Sequence, residues 1–404
     1  MTTQMSVVSA RMNALEWRAT VSLASIFALR MVGLFMIMPV FTTYAKTIPG
    51  GDNAVLVGLA LGAYGATQAL FYIVYGWLSD RLGRKPVIAG GLLVFAIGSF
   101  IAAIGHSMTW IIIGRVVQGI GAVSSAVLAL LADLTREENR TKAMAVVGGS
   151  IGLSFSIAII GAPVAFRWVG MSGLFTIIGF LSITAVGVLE WVVPDVPAAV
   201  ADKRTQFAEV LRDVELLRLN FGVFALHATQ TALFLVVPQM LENCGLPVAS
   251  HWRVYLPVMA FAFVMMVPGI IVAEKHGKMK AVLLASIVLV LCSELWFSSG
   301  PRTVWSIASV LFVYFLGFNI LEASQPSLVS KRAPGSLKGS ATGVYNTTQA
   351  VGLAMGGAVG GLVLKDFGAN AVFLVCATLV LVWLAVATAM TVPTPKPSAN
   401  PSSR

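Results

Sequence analysis

Four ionisable side chains fall inside long apolar stretches of the sequence: Arg30, Arg115, His227 and Glu322. A charge at the middle of a membrane-spanning helix costs about 2.5–3.5 kcal/mol on insertion scales, so four facing lipid would cost on the order of 10 kcal/mol. Facing one shared, wet cavity removes most of that cost, and there such groups bind substrates or pass protons. Glu322 is the first candidate for a proton site. Burial favours the protonated form of a carboxyl and a neighbouring cation the ionised form, so a substrate or helix movement that changes either takes up or releases a proton. His227 is the second, because an imidazole titrates near neutral pH. At about 1.5 Å per residue the two lie at similar depth in the same half of the membrane. The competing expectation is a fixed pair, Glu322 with His227 or Glu322 with Arg30. Two other acids are weaker candidates: Glu294 nears a helix end beside Trp296, and Glu190 sits near an interface where it can snorkel.

Uncharged polar residues support a common site. Tyr64, Gln68 and Tyr72 recur at helical spacing, and Gln230, Asn319, Tyr345, Asn346 and Gln349 add hydrogen-bonding groups inside apolar runs. With Arg30 they are the expected lining of a substrate cavity; adhesion between helices is the competing role for each. Methionines (Met31, Met36, Met38, Met265, Met266) and aromatics (Phe35, Tyr72, Phe318) on or near the same stretches suit an apolar or amphipathic substrate, since such side chains adapt to varied ligands. Ordinary membrane core is the competing role here.

The elements that must position these residues are membrane helices. Of 404 residues, 57% are hydrophobic and 11% charged, and the mean hydropathy is +0.87, beyond what a water-soluble core needs. At about 20 apolar residues per crossing, twelve spans are expected: 17–43, 54–78, 86–105, 109–132, 143–166, 171–194, 219–242, 254–274, 280–299, 303–329, 339–364 and 370–392. The four buried charges then fall one each in the first, fourth, seventh and tenth spans. The formal charge of +10 does not indicate a nucleic-acid partner, because the cations alternate between loops instead of covering one surface. Of the 27 Lys and Arg, 20 fall at the two termini and the exits of even-numbered spans, which places both termini in the cytoplasm by the positive-inside rule. The first residues carry no short apolar stretch before a small-residue cleavage site. Cys244, Cys292 and Cys376 make neither a disulfide framework nor a metal spacing. No nucleophile–base pair, metal cluster or phosphate loop points to an enzyme.

One seam divides the chain. Residues 195–218 break the apolar pattern and carry both signs of charge, as expected of a cytoplasmic linker with a short amphipathic helix from about 204 to 218. On either side the pattern repeats: Asp80–Lys85 (DRLGRK) returns as Glu274–Met279 (EKHGKM), and the basic loop at 133–142 returns at 331–338. The expected fold is an all-α membrane protein of 12 transmembrane helices in two pseudo-symmetric six-helix lobes, residues 1–194 and 219–392, with a cytoplasmic tail at 393–404.

The loop Gly76–Pro86 (GWLSDRLGRKP) is the densest motif: Gly76, Asp80, Arg81, Gly83, Arg84 and Lys85 occupy typed positions in one tight turn between two spans. It resembles the loop between the second and third helices of major facilitator superfamily transporters. Gly114–Ala122 (GRVVQGIGA) is similar to that superfamily's R-x2-Q-G motif of the fourth helix, which implies proton coupling by Arg115; a guanidinium satisfying backbone carbonyls is the alternative. The strings LRMVG, LTREENRTKAMA and LEASQPSL resemble the YajR-type branch of the drug–proton antiporters. That branch can carry an added soluble C-terminal domain, which is not expected in the 12 residues from Pro393. The glycine pattern of the fifth helix in drug–proton antiporters is only partial, with Gly152, Gly161 and Pro163 present and Ala162, Val164 and Ala165 departing.

The resemblance implies that helices 1, 4, 7 and 10 line a central cavity. It implies a latch, with Asp80 against the start of helix 11 at Ser340 and Arg84 paired with Asp133. It further implies a proton-coupled exporter of hydrophobic or cationic compounds in the bacterial cytoplasmic (inner) membrane. Such a transporter works by alternating access as a monomer in lipid, driven by protons without a cofactor or metal. Two alternatives are a proton-coupled transporter of a small organic anion anchored by Arg30 and Arg115, and a channel or receptor. Neither a filter-like loop nor a sensor domain supports the last.

Overall fold

A computed structural model of the protein describes residues 12–195, 207–334 and 338–391. Residues 196–206 of the expected linker, the extreme N-terminus and the tail at 393–404 lie outside the described residues, as does the side chain of Asp80. Among the described residues the chain is helical, with no strand. Eleven helical stretches are long and apolar enough to cross a membrane. One of these, Lys142–Trp191, holds two spans, because Gly170 takes a positive φ of 64° inside it and turns the chain back. The twelve expected spans are therefore present.

The first span is α1 (Ala14–Phe35) and α2 (Met38–Ala45). Pro39 explains the interruption: its ring clashes with the carbonyl four residues back, that of Phe35, where α1 ends. Then come α3 (Ala54–Leu82), α4 (Arg84–Ile104) and a fourth span broken into α5 (Met108–Ile120) and α6 (Ser124–Asp133). The fifth and sixth spans form α7 (Glu137–Trp191). After a single helical turn, α8 (Phe207–Val210), the second half runs through α9 (Val214–Asn243), α10 (Trp252–Lys275), α11 (Met279–Ser298), α12 (Val304–Arg332), α13 (Lys338–Phe367) and α14 (Ala369–Thr388). The amphipathic helix expected over 204–218 is thus shorter. Asp213 accepts from the amides of Glu215 and Leu216, starting a fresh helix, so the seventh span begins about one turn earlier than hydropathy suggested.

The repeat is visible in the backbone. Gly83 and Gly277, the glycines of DRLGRK and EKHGKM, both turn the chain at positive φ, 92° and 67°. The basic loop also stitches its own half together. Arg84 Nε meets Asp133 Oδ2 at 2.9 Å, and Lys85 Nζ reaches Asp195 at 2.5 Å and the Val193 carbonyl at 2.8 Å. Nearby, the buried carboxylate of Glu16 accepts from the Arg136 guanidinium and amide and from Asn139, tying the start of α1 to the turn before α7.

The two halves meet chiefly through α3 and α13, which approach until backbones touch. A Cβ added at Gly58 would lie 2.2 Å from the Gly357 carbonyl oxygen; at Gly62 it would lie 2.6 Å from that of Ala354, and at Gly65 2.5 Å from that of Ala350. Small residues allow this approach, which in a bilayer is a main source of helix association. Thr43 Oγ1 donates to Glu242 Oε2 across the same interface at 3.0 Å. Gly58, Gly62, Thr43 and Glu242 all lie in the half of the bundle away from the basic loops. The lobes are clamped at that neutral end.

Gly58→Val should open the clamp. Overpacking costs about 1–3 kcal/mol, which shifts a two-state population by roughly 5- to 150-fold. Spin labels at Thr47 and Asn243, exposed on opposite lobes at the neutral end, should report a longer distance in the variant. An unchanged distance distribution would show that this row of small residues does not hold the lobes.

Candidate functional site

A narrow cleft opens between the lobes at mid-bundle. Phe35 of α1 and Phe155 and Ile151 of α7 form one wall; His227 and Gln230 of α9 with Phe318, Asn319 and Glu322 of α12 form the other. The aromatic side chains interlock. Phe155 packs edge-on against Phe35 at 4.9 Å between ring centres and lies against Phe318 at 5.6 Å, while Phe318 meets the His227 ring at 5.9 Å.

At the floor of the cleft, three of the expected site residues from three spans come together. His227 is buried, with Nδ1 3.0 Å from the Val223 carbonyl. A carbonyl only accepts, so Nδ1 carries the hydrogen and Nε2 of the neutral ring is left to accept. Gln349 of α13 presents its amide nitrogen to Nε2 at 2.6 Å. Glu322 Oε2 stands 3.6 Å from the same nitrogen, within ion-pair range but beyond a hydrogen bond, and has no hydrogen-bond partner among the described residues. Protonating His227 would put a hydrogen on Nε2, repel the Gln349 NH2 group and favour Glu322 as acceptor. The trio thus offers Nε2 two competing neighbours, an amide and a carboxylate, from two other spans.

The surrounding amides are held ready and unspent. Gln230 is fully buried with both amide atoms unpartnered, and Asn319 Nδ2 and Tyr345 Oη also lack partners among the described residues. Asn346 lies half-buried one residue beyond Tyr345 on α13. Buried polar groups left unpaired are costly, so this half of the cleft has the chemistry of a binding surface.

The guanidinium groups are elsewhere. Arg30 donates to Ser124 Oγ and Tyr64 Oη within the first half of the chain. Arg115 donates to the Ala60 carbonyl at 3.3 Å and to Gln118 Oε1 at 2.9 Å, and lies over the Tyr64 ring at 4.9 Å. Gln118 passes the chain on to Ser99 at 2.8 Å. Gln68 donates to Tyr72 Oη at 2.8 Å. The single cavity expected for all four buried charges is thus resolved into two clusters, one per lobe, and Arg30 does not pair with Glu322. Arg115 satisfies a backbone carbonyl, the alternative named for it above.

Around the basic loop, Arg84 Nη1 also donates to Ser79 Oγ at 2.7 Å, and the Arg81 guanidinium lies 4.3 Å from the Trp77 ring centre. Gly76 has open space where a Cβ would sit, and Ser340 is buried in the first turn of α13. Hydropathy and charge gave no notice of Phe155 or Ser124. Phe155 sits three residues after Gly152 in the partial glycine pattern, and Ser124 lies two residues after the GIGA that breaks the fourth span; those were the available signals.

Comparison with known proteins agrees with this architecture. The model of the Major Facilitator Superfamily matches residues 23–357. The inner membrane transport protein YajR of Escherichia coli (strain K12) is 45% identical over 383 residues, covering 94% of this chain and 84% of that protein. The multidrug resistance protein MdtH of Aeromonas hydrophila is 26% identical over 353 residues, covering 83% of this chain and 85% of that one. Among solved structures, a bacterial homolog of the human lysosomal transporter Spinster, inward-facing and occupied, aligns with a TM-score of 0.74 at 14% identity, covering 94% and 97% of the two chains. The human organic anion transporter MFSD10 aligns at 0.70 and 17%, covering 93% and 100%. The chain belongs to the Major Facilitator Superfamily, as a multi-pass membrane transporter rather than an enzyme.

Proposed function

We propose that the protein is a proton-coupled exporter of hydrophobic or cationic compounds, working by alternating access in the bacterial inner membrane with both termini cytoplasmic. The observation that carries this reading is the cleft floor: a carboxyl oxygen of Glu322 without a hydrogen bond, beside the His227 ring, under a canopy of three phenylalanines. Aromatic faces take apolar and cationic groups, and the acid supplies the charge that a cation or a proton satisfies. The names of the relatives YajR and MdtH, an inner membrane transport protein and a multidrug resistance protein, point the same way.

In this reading the basic loops lie in the cytoplasm, as the alternation of Lys and Arg favours. The clamped neutral end is then the outer gate, closed, and the cleft belongs to the cytoplasmic side. Asp80 against the start of α13 at Ser340 forms the latch of the opposite state, with the Arg84–Asp133 pair, already made here at 2.9 Å, holding the loop in place. An anion against unpaired helix-start amides is worth about 0.3–2 kcal/mol, enough to bias a two-state equilibrium without freezing it. Both walls of the cleft come from one chain, so a monomer suffices, and the proton gradient takes the place of a cofactor. Transport of an organic anion through Arg30 and Arg115 is the weaker reading, because both guanidiniums are engaged by their own lobe.

In liposomes carrying a pH gradient, proton-driven movement of tetraphenylphosphonium should fall by about 10²-fold or more in Glu322→Gln, the scale of a lost positioned proton group. Full transport by that variant would refute the assignment. Asp80→Asn should keep the wild-type melting temperature yet lose most transport. Equal flux from it would remove the latch from the mechanism.

A further inference from the structure

The four polar side chains of the cleft form two rungs. His227 and Gln230 stand three residues apart on α9, and Asn319 and Glu322 three apart on α12, so each pair shares one face of its helix. The two helices pack together and, as the seventh and tenth spans, run in opposite directions. His227 Nε2 faces Glu322 Oε2 at 3.6 Å. The antiparallel register then sets Gln230 level with Asn319, one turn nearer the neutral end, and all four residues line the cleft. The lower rung can carry charge. The upper rung is two amides, and it shares the cleft with the rings of Phe35, Phe155 and Phe318.

Two facing amides that served only to hold helices together would bond each other. These do not: both amide atoms of Gln230 and Nδ2 of Asn319 lack a hydrogen-bond partner among the described residues, and Gln230 is wholly buried. A buried amide with both atoms unpaired costs stability until something comes to meet it. Donor and acceptor are both free at this rung. Of the described residues that line the cleft, Glu322 and His227 are the ionisable ones, and both belong to the lower rung. What fits the upper rung is therefore a neutral group that donates and accepts, a hydroxyl or an amide.

We propose that Gln230 and Asn319 determine the specificity of the cleft, reading a neutral hydroxyl or amide on an aromatic cation whose charged N–H group meets Glu322. The place of the charge rests on the export reading; the amide rung adds what selects among cations. The rungs are about 4.5 Å apart along the axis, three residues at 1.5 Å each. A single ring carrying the charged group and, meta to it, the neutral one spans that interval, with its faces against the phenylalanines. A cation without the second group leaves the amides unpaired and binds more weakly.

Equilibrium binding of three compounds to the full chain in liposomes tests this. Phenyltrimethylammonium offers a ring and a charge, benzamidine adds N–H donors, and 3-hydroxybenzamidine adds the hydroxyl. Wild type should bind them in rising order, the last about 5- to 10-fold tighter than benzamidine, the equivalent of one hydrogen bond. That ratio should fall toward one in Gln230→Leu and in Asn319→Leu. Because the amide is unpaired without ligand, the Gln230→Leu chain should melt no lower than wild type; a lower melting temperature would assign Gln230 to helix adhesion and overturn the proposal. So would a wild type that binds neither amidine or binds both equally, a ranking that needs no variant to fold. Benzamidine affinity unchanged in Glu322→Gln would count instead against the acid in the export reading, while the hydroxyl ratio still judges the amides.

Discussion

Hydrocarbon does not solvate charge, and most of what is unusual in this bundle follows from how each buried charge is answered from within. In the first lobe most of the answers are made, with Arg30 Nε left without a hydrogen bond among the described residues. Arg115 is spent on a carbonyl, an amide oxygen and an aromatic face, and Gln118 extends that chain to Ser99. Arg30 takes two hydroxyls, one from Ser124 at the point where the fourth span is broken. The break serves the charge: it places the first residue of a new helix, with its hydroxyl, opposite a guanidinium at mid-membrane. In the second lobe the answers are withheld. Gln230, Asn319, Tyr345 and an oxygen of Glu322 remain without hydrogen bonds among the described residues. Among the described residues the second lobe holds more of these unspent groups than the first.

That asymmetry sits on a symmetric scaffold. Gly83 and Gly277 turn equivalent loops, and each lobe contributes one helix to the row of small residues that joins them. The joint is made by α3 and α13 through backbone contact, so its closeness leaves no side-chain slack to absorb motion. In the proposed alternating access, opening the neutral end would therefore part this row by movement of whole helices. Phe155 gives such movement a consequence at the cleft. It reaches from α7 into the aromatic cluster of the other lobe and touches Phe234, Phe315 and Phe318. Any rotation of the lobes changes what covers the His227 ring.

Sequence patterning made the scaffold legible and the site only half so. Apolar length gave the twelve spans, since a bilayer fixes how much chain each crossing needs, and the Arg84–Asp133 contact was expected from the resemblance of the loop motif to the superfamily's. Polar side chains set in apolar runs also marked His227, Glu322 and Gln349, which the structure gathers at one point. What patterning could not give was the rotation of each helix about its axis. Arg30 lies on an expected cavity helix yet turns into its own lobe, and Glu294 was set aside on its depth alone although it faces the bundle interior. The boundary of the seventh span was missed for a local reason: a capping aspartate, Asp213, outranks the hydropathy change that marks the membrane surface.

The orientation of one imidazole decides how the site can be driven. Because Nδ1 is committed to a backbone carbonyl of its own helix, all exchangeable chemistry of His227 is confined to Nε2, and that atom faces two side chains from two other helices. Gln349 belongs to α13, the helix clamped against the first lobe, whereas Glu322 belongs to α12, which lines the cleft. Choosing between an amide and a carboxylate at Nε2 is thus also a choice between helices that move differently when the lobes rock. Under the proposed proton-coupled reading, protonation would stabilise the arrangement that brings Glu322 in, and withdrawal of Glu322 by a bound cation would stabilise the one that keeps Gln349. A coupling of this kind needs no long wire between proton and substrate, since both act on the same nitrogen through opposite neighbours.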